Sequence, residues 1–480
     1  MAYIKGDRNQ LTFLPQAIED YITKDDPVRA YDAFVETLPF DKLGIVIDEN
    51  QAGANPYWPK AMLKLLIYGY AYGIRSSRKL ERACFHNLSF IWLTENIKPD
   101  YRTIARFRID NKDALKNTLR QCARMCLKLG LIEGNTLFID GTKIKADASL
   151  KNTWSKERLE KYENQIAENI ERILTECQAV DEAEENDGSL VKLKEELADQ
   201  KILKAKIIEI AKELNDSGKQ KLNTTDPDSF ISKSDRGAKM YHNIQAVTDE
   251  KYGLIVSADV VAQSIDVNQL SAQTKQAQDT LDKKPQNLCA DNGYYSLGDI
   301  EKIDTDINVI VPSQGQLIKE RAPEKIKPFS KDTFKYDEKR DCYICPENKI
   351  LQRTGLTIPD KPNAIVYKAC GRECKHCKLF GICTTSKMGR KIIRQKNEAL
   401  AKTLAQAYDS DAGQAIYKLR KQKAELPYAH FKHNLNLRQL LLRGIEKVKS
   451  EVFLCSIGYN LTRMIGLLGV NRLKEAFTIA

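Results

Sequence analysis

The chain has 480 residues, 42% hydrophobic and 29% charged, enough for a substantial core and for more than one ordinary domain. Its 76 basic and 65 acidic residues leave a net charge of +11, which favours an anionic partner, most commonly nucleic acid. No stretch approaches the ~18 apolar residues of a membrane span, and the opening MAYIKGDRNQ has no apolar signal region. A cytoplasmic chain with no membrane partner and twelve reduced cysteines is therefore expected.

Residues 1–134 read as a helical N-terminal domain. After Pro59 comes a dense apolar segment through Ala61, Leu63, Leu65, Leu66, Tyr68 and Tyr70. Beyond Gly73 a second helix carries Leu80, Ala83 and Cys84. Two short helices joined by a basic, serine-bearing turn can set donors on DNA phosphates, which makes Arg75, Arg78 and Lys79 candidate DNA contacts; plain helical packing is the alternative. In Pro99–Arg108, Thr103 is the candidate N-cap and Ile104 with Phe107 the core pair. Arg102, Arg106 and Arg108 are then left for solvent or phosphate.

Residues 135–480 read as an α/β domain carrying two insertions. Leu137–Ile144 is a strand by its β-branched and aromatic content and its alternation. Asp140 within it is costly unless partnered, and Gly141 permits a close backbone approach. The first insertion, 151–234, holds two amphipathic runs. One passes through Leu159, Tyr162, Ile166, Ile170, Ile173, Cys177 and Val180, the other through Leu193, Leu197, Leu203, Ile207, Ile210 and Leu214. A break at Asn186–Gly188 makes them an antiparallel helical hairpin. Asn243–Thr248 and Leu254–Val261 form a β-hairpin. A helix from about Asp266 to Leu281, a short strand Asn287–Ala290 ending at Asp291, a helix from Ser296 and a strand Ile307–Val311 follow. Together these make a mixed sheet with helices on both faces. The second insertion, 313–396, is polar and cysteine-bearing, and helical periodicity resumes near Asn397.

Two aspartates at neighbouring strand ends form a nest for a hard divalent cation, Mg²⁺ or Mn²⁺. Two such ions ~4 Å apart can clamp the attacking and leaving oxygens of a phosphoryl transfer. Asp140 and Asp291 are those candidates, and Glu425, in YKLRKQKAELPYAHFK, is the candidate third acid.

These residues carry a family resemblance. The set resembles the Asp-Asp-Glu transposases of bacterial insertion sequences, in the branch whose third acid lies in a Tyr-Arg-Glu-Lys signature. Tyr417, Arg420, Glu425 and Lys432 match it, with two, four and six residues intervening. FIDGTKIKADAS, YHNIQAV, ADNGYYS and Tyr459-Asn460-Leu461 look like the same group, and Pro59–Arg108 looks like its N-terminal domain. The resemblance implies an RNase-H-like catalytic domain and Mg²⁺ ions held by Asp140, Asp291 and Glu425. Tyr417, Arg420 and Lys432 would contact phosphates or a displaced base, roles those side chains suit chemically. It also implies binding to terminal inverted repeats, a homodimer pairing two ends, and residence on the bacterial nucleoid. The expected reaction is hydrolysis at the element's ends, then attack of the freed 3′-hydroxyl on target DNA. Pro427 predicts a kink or a new helix within the signature. On a regular helix Lys432 falls about 20° from Glu425 and Arg420 about 140° away, so Arg420 needs that kink to share the site.

Cys342 and Cys345 form a C-x-x-C pair, followed by Cys370, Cys374, Cys377 and Cys383 with His376 beside them. Paired thiolates suit a structural Zn²⁺, most simply through Cys342, Cys345, Cys374 and Cys377; spare reduced thiols are the alternative. The remaining cysteines and the tryptophans are read as core or interface. Two rival functions stand beside transposition: a hydrolytic nuclease on the same fold, which cuts but does not join, and a non-catalytic DNA-binding protein of transposase descent.

Overall fold

The computed structural model describes residues 17–45, 47, 56–182, 189–234, 237–321, 328–356, 364–395 and 397–479. Seven α-helices among them precede the first strand: α1 Val28–Glu36, α2 Phe40–Leu43, α3 Pro59–Ala71, α4 Ser77–His86, α5 Leu88–Leu93, α6 Tyr101–Asp110 and α7 Lys112–Lys128. Pro59 opens α3, where its missing N–H costs nothing. Asp100, not Thr103, caps α6: its carboxylate accepts from the backbone N–H groups of Arg102 at 2.9 Å and Thr103 at 3.1 Å.

The central sheet begins with β1, Thr136–Lys145. The pair β2, Thr153–Ser155, and β3, Lys221–Asn223, closes the base of a helical hairpin, α8 Lys156–Glu182 and α9 Ser189–Asp216. The expected break at Asn186–Gly188 lies outside the described residues. Leu159, Ile166, Ile207 and Leu214 form the hairpin seam with Leu222, while Leu203, read as part of that seam, is exposed. Next come β4 Phe230–Ser234, β5 Gly237–Asp249, β6 Ile255–Val261, α10 Leu270–Leu281, β7 Asn287–Ala290, α11 Leu297–Ile300, β8 Asn308–Ile310 and α12 Gln314–Arg321. The sheet order is β4-β5-β1-β7-β8, with β6 also paired to β5. β1, β5 and β6 run antiparallel, whereas β1, β7 and β8 run parallel. β4 lies at the end of the expected helical insertion 151–234, where no strand is expected; its pairing with β5 through five residues is what makes it a strand.

The cysteine-bearing segment is more ordered than its composition implies. It folds as a five-stranded antiparallel sheet of β9 Lys335–Asp337, β10 Cys342–Ile344, β11 Ile350–Thr354, β12 Ala364–Ala369 and β13 Lys391–Gln395, with α13 Gly371–Lys375 between the last two strands. Strands of three to six residues carry too few alternations for a period-two signal. Four helices finish the chain: α14 Glu398–Asp409, α15 Asp411–His433, α16 Ile445–Leu468 and α17 Val470–Ile479.

One hydrophobic cluster runs from Val28 to Phe477 and crosses the expected domain boundary at 134. α16 is its axis, and Gly458 in α16 lets the helix meet the backbone of α3 at Ala71. Asn460 works as an extra strand partner. Its side chain accepts from the Ile255 N–H and donates to the Ile255 carbonyl, both at 2.8 Å, which ties α16 to β6.

Candidate active site

Register brings the two aspartates together. In the parallel pair of β1 and β7, Ile139 stands beside Ala290, so the next residues, Asp140 and Asp291, end up on adjacent strands. Side chains alternate across a sheet, which puts both acids on the face of Phe138 and Cys289. Tyr408, Ile416, Tyr417, Leu419 and Ala424 cover that face, and α15 thereby brings the signature residues over the aspartates.

Arg420 is the link between the acids. Its Nη1 lies 3.5 Å from Asp140 Oδ1 and its Nη2 3.8 Å from Glu425 Oε1. Two hydrogen bonds fix the helix above β1: Tyr428 OH donates to the Asp140 carbonyl at 2.6 Å, and Lys432 Nζ to Thr142 Oγ1 at 2.7 Å. Of the two outcomes expected at Pro427, a kink or a new helix, the new helix does not occur: α15 is one helix from Asp411 to His433 with the proline inside. The lost helical hydrogen bond costs about 3 kcal/mol, and burial of Ala424, Tyr428 and Phe431 on the same helix offsets it. Arg420 does share the site, reaching both Asp140 and Glu425 from α15.

Electrostatics mark the site as short of positive charge. Burial pushes the Asp140 carboxyl up to about 7; Arg420 and the Gly141 N–H oppose the shift, and Asp291 and Glu425 reinforce it. Asp291 is likewise raised by burial against the pull of Arg420 and of the Gly293 N–H, which donates to its Oδ1 at 2.8 Å. The donors are all hard carboxylate oxygens, the set that Mg²⁺ and Mn²⁺ prefer. In the present arrangement no three described His, Cys, Asp or Glu side chains close on one ion; Arg420 stands between Asp140 and Glu425.

A fourth acid escapes sequence reasoning. Asp266 Oδ1 accepts from Asn243 Nδ2 at 2.8 Å and from Gln245 Nε2 at 2.7 Å, and Tyr294 OH donates to Gln245 Oε1. A Cβ on Gly141 would fall 2.6 Å from Asp266 Oδ1, and one on Gly293 would fall 2.9 Å from Asp291 Oδ1 and 3.5 Å from Asp266 Oδ2. Both glycines therefore make room for carboxylates. The available signal was Asn243 and Gln245 themselves, two amides at period two flanking Ile244 in β5.

The other candidates divide. Tyr417 and Arg420 sit together, the guanidinium 5.7 Å from the ring centroid. Arg78, Lys79 and Arg106 are exposed on α4 and α6. Arg75 is a correction: it is buried, paired with the fully buried Glu451, and donates to the carbonyls of Gln439 at 3.1 Å and Asn436 at 2.9 Å. A guanidinium used up inside the protein has none left for phosphate. Arg108 is also turned inward, onto Tyr70 OH at 2.7 Å. Among the cysteines, Cys345, Cys374, Cys377 and Cys383 line one small cavity. Cys342 is absent from that lining; it is buried in β10, which pairs with β9 and β11.

The carboxylate pair, its arginine and the covering helix bring three hard oxygen donors and a guanidinium into one place. Two family models match parts of the chain. Residues 344–465 match the model described as a transposase DDE domain, and residues 16–110 match a transposase domain, DUF772. The first match spans Glu425 and the second the N-terminal helices. Over these two segments the chain is similar to transposases, and the DDE-domain match supports a metal-dependent DNA transposase. No curated protein matches the sequence. A cryo-EM structure of a piggyBac transposase synaptic complex with hairpin DNA superposes with a TM-score of 0.31 at 10% identity, over 95% of this chain and 79% of that one; so loose a match carries no argument.

Proposed function

We propose that the chain excises an insertion sequence by cutting at its terminal inverted repeats and joins the freed 3′-hydroxyl ends to target DNA. The observation that supports this reading is Arg420, which lies 3.5 Å from Asp140 and 3.8 Å from Glu425 and acts electrostatically on Asp291. The catalytic unit is RNase-H-like, a reading supported by the strand order β6-β5-β1-β7-β8 with its antiparallel first three strands and parallel last two.

Asp140, Asp291 and Glu425 would hold the divalent ions, with Mg²⁺ suited to their oxygens. When bound, such a pair supplies charge stabilisation to the attacking and leaving oxygens and a nucleophile at neutral pH. Arg420 neutralises the acids in the resting protein and is placed to exchange a carboxylate for an incoming phosphate, which its forked donors suit. Lys432, beside Asp140, holds the cleaved strand, and Tyr417 offers a ring to an unpaired base. Arg78, Lys79 and Arg106 contact the flanking phosphates. Two ends must be cut and joined together, so the working form is a homodimer on DNA, at the nucleoid.

The test supplies the purified protein with Mg²⁺ and duplexes carrying the ends of its own element, intact or pre-cut to a free 3′-hydroxyl. Cleavage of the first and joining of the second support transposition. Cleavage without joining makes the protein a nuclease, and binding without either makes it a DNA-binding relic.

A further inference from the structure

We propose that Cys345, Cys374, Cys377 and Cys383 bind one structural zinc ion that holds the five-stranded unit β9–β13 together. The four cysteines line a single cavity of about 30 Å³, whose walls include Phe334, Leu351 and Phe380. That is room for an ion and too little for an organic ligand.

The backbone is already arranged to receive thiolates. The N–H of Lys349 points at Cys345 Sγ at 3.3 Å, and that of Leu379 at Cys377 Sγ at 3.4 Å. Each donor lies in a tight turn: Asn348 N–H returns to the Cys345 carbonyl at 2.8 Å, and Phe380 N–H to that of Cys377 at 2.9 Å. Amide donors of this kind form the outer shell that orients metal-bound ligands. Arg390 supplies the countercharge. It lines the same cavity, donates to the Cys383 carbonyl at 2.9 Å, and keeps a buried Nε–H that has no hydrogen-bond partner. A buried orphan donor beside four sulfurs is what a neutral-thiol pocket leaves unsatisfied and an anionic tetrathiolate satisfies.

The unit also needs such a staple. Its buried core is six residues, Phe334, Tyr343, Leu351, Tyr367, Ala369 and Ile392, too small to order a five-stranded sheet unaided. As placed, no three of the described His, Cys, Asp or Glu side chains close on one ion, so ligation requires the four sulfurs to draw together, each thiol releasing its proton to solvent. The alternatives are occupied elsewhere. Cys370 lines a different cavity, and His376 is exposed with Nδ1 on the Arg372 carbonyl.

The consequence reaches the active site through Glu398, the first residue of α14. It accepts from Arg394 of β13 at 2.5 Å, from Tyr343 of β10 at 3.3 Å, and pairs with Lys331. α14 is followed directly by α15, which carries Tyr417, Arg420 and Glu425.

The experiment is metal analysis of full-length protein purified without chelator, repeated after replacement of zinc by Co²⁺. About one zinc per chain is expected, with the charge-transfer absorption of four sulfurs on tetrahedral Co²⁺. Cys383→Ser should lose roughly a quarter of that absorption or the metal altogether, while Cys342→Ser and Cys370→Ser keep both. Folded, reduced parent protein without zinc overturns the proposal. So does loss of the metal in Cys342→Ser with full retention in Cys383→Ser.

Discussion

Arg420 and Asp140 face each other across 3.5 Å, and that pairing joins a helix near the C-terminal end of the chain to a strand 280 positions earlier. A guanidinium beside a carboxyl this buried lowers the cost of its charge, yet Asp140 still sits at about 7 because burial outweighs the arginine. The pair is therefore primed for a cation of higher charge.

Linkage turns this into a pH dependence. A carboxyl raised in the folded state favours folding below its unfolded value near 3.8 and loses that contribution as pH climbs through 7. The metal-free protein should therefore lose stability across this interval. Added Mn²⁺, which competes with the proton for the same oxygens, should raise the melting temperature more at about pH 8 than at about pH 6. Thermal scans of the parent and of Asp140→Asn check this. The Asn variant should show a smaller fall, the part left by Asp291, and a weaker pH-dependent rescue.

Charge divides labour along α15. Glu425→Gln keeps the shape of the site and removes a charge that holds metal, so terminal-repeat binding should survive. Cleavage should fall at least about a hundredfold, the equivalent of several kcal/mol of lost transition-state stabilisation. Lys432→Ala should weaken binding to the cleaved end, and the deficit should shrink as salt rises, because phosphate contacts release counterions. Gel-shift affinity and nicking rate across a salt series separate the two variants. A Gln variant that nicks at the parental rate would remove Glu425 from the site.

Arg75 and Arg78, three positions apart, should behave oppositely. Arg75→Met leaves Glu451 buried without its partner and should cost about 3–5 kcal/mol of stability, with the salt slope of DNA binding unchanged. Arg78→Ala should leave stability intact and reduce that slope by about 0.9. Denaturant titrations and salt-dependent binding read both.

Much of this could be read from the residues. The run Asn287–Ala290 ends where a strand should and delivers Asp291 to its tip; Asp140 announces itself as an acid amid apolar neighbours. Glu425 could not be found that way, since nothing local distinguishes one glutamate on a helix from another; only the spacing of Tyr417, Arg420 and Lys432 singled it out. Arg75 misled because local sequence cannot show a partner 376 positions away. C-x-x-C spacing names a pair but not its setting: β10 ends at Ile344, so Cys342 lies within the strand and Cys345 in the turn beyond it. Asp266 was passed over as the start of a helix when it lies four residues before one.

Packing offers an independent check on the core. A methyl group at Gly458 would fall 2.9 Å from the Ala71 Cα and 3.1 Å from its Cβ, with backbone on the far side that cannot swing away. Gly458→Ala should lower stability by about 1–3 kcal/mol, and the denaturant midpoint should shift accordingly.

The most direct test of the central claim, that Asp140, Asp291 and Glu425 serve one ion site, is iron-mediated backbone cleavage. Fe²⁺ loaded in place of Mg²⁺, with ascorbate and peroxide, cuts polypeptide close to where it binds. Mapping the fragments of the full chain by mass spectrometry should find cuts near residues 140, 291 and 425 together, all suppressed by excess Mg²⁺. Cuts confined to one of those segments, or unaffected by Mg²⁺, would contradict the account.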